Sequence, residues 1–214
     1  MYEHYLKTIK PSAIARQIRH RLYKTLIGGS TKALEFGIGY GYFRDYCFNE
    51  GIDYTGVDFS KGLADLADID TIITPIPEGM SLVPYGYDLI FAEHFIEHMD
   101  GHDSVMKFLI GCRKRLNNGG RIILLYPNMN KHFWHDPTHQ YPTNKKRIER
   151  CLIDAGFHVM ESDDYAHCLV GVFDTILIKL IGYLMPANLR VSLHFCVHSY
   201  TKGLAQEATK VGEK

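Results

Sequence analysis

An apolar run that breaks into alternating glycines constrains this chain more than any other stretch. It reads Lys32-Ala-Leu-Glu-Phe-Gly-Ile-Gly-Tyr-Gly-Tyr42, with one carboxylate, Glu35, inside the run and glycines at 37, 39 and 41. A buried strand that passes through such a loop into a helix makes a ligand cradle. Glycine accepts positive φ and lets a ligand approach the backbone, and the first amides of the next helix can bind acceptor atoms. A dinucleotide fingerprint needs Gly-x-Gly-x-x-Gly. Here Tyr42 stands where the third glycine belongs, and no Gly-Lys-Ser/Thr ending follows for a Walker loop.

Around this loop the chain alternates strand and helix patterns, which predicts an α/β fold with a doubly wound sheet. Tyr54–Asp58 reads as the second strand and closes on a carboxylate. A third strand is expected near Thr71–Thr74 and a fourth at Tyr87–Ala92. Glu93–Met99 is expected to open a helix, and a further helix is expected from Asp103 to Asn117. Arg121–Asn128 reads as the fifth strand, Thr143–Ala155 as a helix and Phe157–Ser162 as a strand. Asp58 lies about twenty residues beyond Gly37, the length of a βαβ half-turn, which favours a ligand role over a helix cap.

These stretches, taken together, closely resemble the motifs of class I S-adenosylmethionine-dependent methyltransferases. Glu35, Gly37, Gly39 and Gly41 match the family's first motif, and Asp58 matches the acid that grips the ribose diol. The strand Asp88-Leu-Ile-Phe91 followed by Glu93-His94, and the run from Leu116 through Gly119-Gly120 to Pro127-Asn128, match later motifs. The resemblance covers residues 32–165. It implies a mostly parallel seven-strand sheet with a helical insertion before the last strand. It also implies S-adenosyl-L-methionine as cofactor, contacted by Glu35, Gly37, Gly39, Gly41, Asp58, Phe59 and Glu93. The family's adenine-binding Asp has no single counterpart, with Asp68, Asp70 and Thr74 all open. The phrase Asp136-Pro-Thr-His139 is similar to bacterial members that act on sugar and polyketide-type acceptors.

Methyl transfer to a hydroxyl needs a base, and histidine suits neutral pH. The loop 130–141 carries His132, His135 and His139 beside Asp136, Trp134 and Tyr141, and His94, Glu97 and His98 follow the fourth strand. His139 and His135 are the first candidates for the base and His98 the next, with Trp134 and Tyr141 as walls of an acceptor pocket. His94-Phe-Ile-Glu97-His98 also fits the His-x-x-Glu-His pattern of inverzincins, a reading that leaves Asp58 and the glycines without a role. It resembles more closely the Glu-x-x-Glu-His of those methyltransferases that hold a divalent ion. His94, Glu97 and His98, with His132 or His135 to complete the set, are therefore candidate metal ligands, for an ion the reaction does not require.

Composition bounds the partners. Net charge is zero, which argues against nucleic acid as a target. The charge is uneven, since residues 1–32 carry seven Lys/Arg against Glu3 (+6) and the remainder 17 basic against 23 acidic groups (−6). Pro11–Ile27 reads as a helix with Ile14, Ile18, Leu22 and Leu26 on one stripe. Arg16, Arg19, His20, Arg21 and Lys24 are expected on its solvated faces or, alternatively, on a lid over the cofactor pocket. The domain limits expected are 1–31 for this helical segment, 32–205 for the catalytic domain with an apolar helix at 168–186, and 206–214 as a flexible tail. Leu193–Tyr200 is expected as the closing antiparallel strand. The apolar helix is too short to span a bilayer and suits packing on the sheet, a second subunit or a membrane surface. Five scattered cysteines without Cys-x-x-Cys, and no apolar signal core at the N-terminus, point to a cytoplasmic protein. An oxidoreductase using nicotinamide and a non-catalytic cofactor-binding scaffold remain the competing functions.

Overall fold

The computed structural model describes residues 13–131, 133–164 and 203–210. Its sheet contains β1 (Lys32–Phe36), β2 (Asp53–Asp58), β3 (Thr71–Ile73), β4 (Tyr87–Glu93), β5 (Leu116–Pro127), β6 (Phe157–Asp164) and β7 (Gly203–Lys210). They lie in the order β3-β2-β1-β4-β5-β7-β6. The five strands from β3 to β5 are parallel, and β7 runs antiparallel between β5 and β6. The helices are α1 (Ala13–Leu26), α2 (Tyr42–Glu50), α3 (Lys61–Ala67), α4 (Gly101–Arg115) and α5 (Lys145–Asp154).

The central strands are apolar on both faces because helices cover both faces. Residues of alternate parity go to opposite sides. Leu34, Phe36, Ile90, Ala92, Ile122 and Leu124 pack against α4 and α5, whereas Ala33, Leu89, Phe91, Ile123 and Leu125 pack against α1 and α2. Phe43 of α2 is fully buried and stacks on Phe91 with ring centroids 4.2 Å apart. That contact fixes the helix that follows the glycine loop. The strand order reverses between β1 and β4, so a crevice opens outside the carboxyl ends of those two strands.

Several expectations need correction. No helix forms over residues 93–99. Glu93 ends β4, and the amide of His94 donates to Leu125 O (2.8 Å), which continues the sheet by one bond. His94 then turns at φ 52°, and Ile96–His98 makes a single 3-10 turn before α4 starts at Gly101. Residues 206–210, expected in a frayed tail, belong to β7. Their polar composition matters less than the two neighbouring ladders that satisfy the backbone of an interior strand. The expected closing strand at 193–200 and the helix at 168–186 lie outside the described residues, as does His132. Arg19 is not on a solvated face of α1 but is buried. No helix among the described residues is long and apolar enough to cross a membrane.

Replacing Phe43 by Ala removes a filled core position directly under the glycine loop. The expected loss is about 3–5 kcal/mol of folding stability, to be read from urea unfolding midpoints at constant slope.

Candidate cofactor and acceptor site

The loop after β1 folds as its spacing demands. Gly37, Gly39 and Gly41 take φ of 79°, 48° and 73°. The amide of Gly37 stays on the sheet through Val57 O (2.9 Å) and that of Gly41 closes a turn on Ile38 O (2.8 Å). A Cβ on Gly37 would meet the Phe95 ring at 2.9 Å, whereas nothing lies within 4 Å of one built on Gly39. The loop is thus packed at its entry and open at its centre, where a ligand can approach the backbone.

Carboxylates end the strands around that opening. Asp58 closes β2 and is buried. Its Oδ2 accepts the Ile38 amide (3.1 Å) and its Oδ1 the Ser60 amide (2.9 Å). The Phe59 amide also bonds to this carboxylate, and of the about four acceptor positions of a carboxylate the remainder is open to a diol hydroxyl. Burial raises the Asp58 pKa, against the lowering effect of these amides. The cap of α3 is Ser60, which accepts from Leu63 N (3.2 Å), so Asp58 is not needed for capping. The adjoining Phe59 is 67% exposed, unusual for a phenyl ring, and offers a flat apolar face next to that acid.

Glu35, within β1, is buried and accepts from the Tyr54 hydroxyl (2.5 Å). Its pKa stands well above the ordinary Glu value because of burial first, with the charges of Glu93 and Asp58 adding to it and the Tyr54 hydrogen bond opposing. Glu93, the last residue of β4, receives Arg19 Nε at 3.2 Å and the Tyr23 hydroxyl at 2.5 Å. Reading the sequence missed both donors. The available signal was their spacing: Arg19 and Tyr23 are four apart and next to Leu22 and Leu26, on the face of α1 that turns to the core. Among the residues left open for adenine, Asp68 is the left-handed C-cap of α3, and Thr74 is buried with its amide on Asp58 O (2.9 Å).

A second group of side chains gathers at the carboxyl end of β4 and β5. The backbone carbonyl of Glu97 accepts the amides of Gln140 and Tyr141 (2.8 and 2.9 Å), which ties the 3-10 turn to the loop after β5. That tie brings Glu97, His98 and His139 together, with one ligand atom of each within 4.8 Å of the others. The rings of His98 and His139 are 5.1 Å apart. Nδ1 of His139 lies 2.7 Å from Phe133 O and Nδ1 of His98 lies 3.2 Å from Thr138 O. A carbonyl accepts only, so each Nδ1 carries the proton and Nε2 is the basic nitrogen. Asp136 Oδ2 is 3.8 Å from His139 Nε2. Burial raises the Asp136 pKa, but two bonds from Thr138 and the nearby histidines outweigh it and hold it below the usual range.

Glu97 is fully buried. Its Oε1 is 3.0 Å from His94 Nδ1, and its Oε2 has no hydrogen-bond partner among the described residues. Burial lowers the His94 pKa, yet the bond to Glu97 and the charges of Glu97 and Glu93 raise it on balance. His94 therefore serves Glu97 and does not join the cluster of possible ligands. His135 is exposed and outside that cluster. Trp134 is half exposed, as a pocket wall requires, but Tyr141 is buried with its hydroxyl 3.4 Å from Cys151 Sγ, so it supports the loop from beneath.

Comparison with known proteins gives the family and the fold. A family model described as a methyltransferase domain matches residues 2–162. The ubiquinone biosynthesis O-methyltransferase of Proteus mirabilis (strain HI4320) is 25% identical over 112 residues, 48% of this chain and 44% of that protein. The chain thus spans less than half the length of that curated relative. A solved S-adenosylmethionine-dependent methyltransferase from Archaeoglobus fulgidus has the same fold, with TM-score 0.69, 19% identity and coverage of 98% and 99% of the two chains. Phosphoethanolamine N-methyltransferase 2 of Haemonchus contortus, solved with S-adenosyl-L-methionine, matches at TM-score 0.62 and 16% identity over 92% of this chain and 52% of that one.

The buried Glu35 yields a stability prediction. Its folded pKa is raised, so the stability it contributes is fully present below the ordinary Glu range and is lost as pH climbs through the raised value. Glu35→Gln keeps an acceptor for Tyr54 but has no charge to desolvate. The variant is expected to match the native protein near pH 4 and to melt higher near pH 8. Parallel Tm curves across that interval would contradict this account.

Proposed function

The chain belongs to the methyltransferase-domain family, and from that membership we propose that it is an enzyme transferring a methyl group from S-adenosyl-L-methionine to a hydroxyl of a small-molecule or glycan-type acceptor. The observation that carries the cofactor reading is a set of three carboxylates, Glu35, Asp58 and Glu93, with Glu35 in electrostatic reach of the other two, on the strands at the strand-order switch beside a glycine loop open at Gly39. A cationic nucleoside fits such a set better than the diphosphate of a nicotinamide dinucleotide, which three carboxylates would repel. Tyr42 in place of a third glycine counts the same way.

The cofactor supplies an activated methyl group, so the protein's tasks are to orient, to exclude water and to take a proton. Asp58 would accept the ribose hydroxyls with the positions its amide donors leave open, and Phe59 would flank the base. Glu35 and Glu93 would face the cationic amino-acid end. On the acceptor side His139 is the first candidate for the base. The Phe133 carbonyl holds its tautomer so that Nε2 can take a proton, and Asp136 favours the imidazolium that results. His98, in ring contact with His139, is the second candidate. His135, the other initial candidate, is less suited because it stands apart from the cluster. Identity to an O-methyltransferase over part of the chain supports oxygen as the methylated atom. The expected location is the cytoplasm.

Calorimetric titration with S-adenosylmethionine and separately with NAD distinguishes the two cofactor classes, and binding of NAD alone would overturn this reading. Asp58→Ala is expected to weaken S-adenosylmethionine by about 2–3 kcal/mol through lost charge-assisted bonds. His139→Ala is expected to lower methyl transfer about 10²–10⁴-fold while cofactor affinity holds. A protein that binds the cofactor but methylates nothing in an acceptor screen would be the scaffold of the alternative reading.

The partnerless Glu97 Oε2 favours a second reading of the same cluster, with Glu97, His98 and His139 around a divalent cation. A fully buried carboxylate oxygen without a donor is costly, and one carboxylate with two imidazoles suits a transition metal better than Mg²⁺. Such an ion would supply a Lewis acid next to the acceptor hydroxyl. His139 takes the place that His94 was expected to fill. Elemental analysis of the purified protein, and activity after exhaustive chelation and re-addition of Zn²⁺ or Mn²⁺, decide between base and ligand. Full activity in a metal-free sample removes the metal reading.

A further inference from the structure

The reading so far gives the basic N-terminal helix no task. We propose that Arg19 and Tyr23 of α1 are positioning residues that hold Glu93 in place for the cofactor's cationic end, which makes α1 a working part of the cofactor site. The inference rests on the S-adenosylmethionine reading.

Two donors from successive turns of one helix converge on the two oxygens of one carboxylate. Arg19 Nε reaches Oε1 at 3.2 Å and the Tyr23 hydroxyl reaches Oε2 at 2.5 Å. The ion pair is secluded, with side-chain exposures of 11% for Arg19 and 13% for Glu93, and Tyr23 is fully buried. Core packing alone does not ask for this chemistry. Leu22, Tyr23 and Ile27 already seat α1 on the sheet, and an apolar residue at position 19 would bury more cheaply than a guanidinium.

The guanidinium of Arg19 also lies 4.5 Å from the ring centre of Tyr42, the first residue after the glycine loop. One side chain therefore spans both banks of the crevice, the end of β4 and the start of α2. Glu93 is within electrostatic reach of Glu35. Two like charges on adjacent strands repel, and Glu93 would relax outward into water without a fixed cation and a fixed hydroxyl to hold it. By contrast, Arg16 lies farther from the Tyr42 ring, at 5.8 Å, and pairs with Asp45 across a surface, with its side chain 49% exposed. That contact is a strut on α2, whereas Arg19 and Tyr23 act on the site.

The test is a double-mutant cycle read by calorimetry with S-adenosylmethionine on the full chain, with Tm recorded for every variant. Arg19→Ala is expected to weaken binding about tenfold or more and to raise KM for the cofactor, with kcat changed far less. Arg19→Lys should restore most of the affinity, Tyr23→Phe should cost a few-fold, and Arg16→Ala should leave affinity unchanged. In a Glu93→Gln background, Arg19→Ala should have no further effect, because its action passes through the carboxylate. Native affinity in Arg19→Ala overturns the proposal. So does an undiminished loss in the Glu93→Gln background, which would mean that Arg19 meets the cofactor itself. Should Arg19→Ala fail to fold, Arg19→Lys and Tyr23→Phe complete the same cycle. A native protein that does not bind S-adenosylmethionine overturns the cofactor reading instead, a result distinct from either of these.

Discussion

Carboxylates held out of water at the carboxyl edge of the sheet are the constraint around which the neighbouring structure is arranged. Burying a carboxylate is unfavourable unless donors meet it, and each of these has its own supplier. Asp58 draws on amides of the glycine loop and of the turn into α3, Glu35 on Tyr54, and Glu93 on α1. Three separate elements, the glycine loop, β2 and the N-terminal helix, are thereby fixed relative to one crevice. Asp58 shows the economy of the arrangement. Its bond to Ile38 N sets the loop's path and also aims the carboxylate across the opening.

Much of this was legible in the sequence because it follows from local chemistry. The glycines at 37, 39 and 41 lie at positive φ, as alternating glycines after a strand predict. β1 and β4 appear where the apolar runs lie, because strands covered on both faces have largely apolar sequence, and β2 ends on Asp58. What the sequence hid depends on distant partners. Arg19 reads as a surface cation in a basic helix, and Glu93, seventy-four residues further on, gives it a reason to be buried. The stretch 93–99 has helical composition. A backbone bond from His94 to β5 and the amides of Gln140 and Tyr141 on Glu97 O win against that propensity. β7 is too polar to be read as an interior strand, and its pairing with β5 and β6 is what makes it one.

The histidine cluster illustrates the same distinction at the level of chemistry. Sequence proximity suggested His94, Glu97 and His98 as a unit, and the structure exchanges His94 for His139. The left-handed turn at His94 carries its ring to Glu97 Oε1, and the carboxylate's other oxygen has no hydrogen-bond partner among the described residues. A non-glycine residue at φ 52° is a costly conformation. It persists here because the sheet bond at the His94 amide and the bond at its Nδ1 hold both sides of the residue.

On the function proposed above, cofactor and acceptor would be served by different parts of the chain, and that division bears on what a shared fold can constrain. The proposed cofactor side consists of strand ends and the glycine loop, parts of the fold that the chain shares with the Archaeoglobus fulgidus structure at 19% identity. The proposed acceptor side is the loop from Asn128 to Asn144, whose course is set by side-chain hydrogen bonds. Thr138 holds Asp136 and His98, Phe133 holds His139, and Thr143 ties the loop's end to Pro127 O. A fold match constrains the first and not the second. Under the same proposal, the identity of the acceptor would be set by Trp134, Asp136, His98 and His139, on and beside the loop that Glu97 O ties to the end of β4.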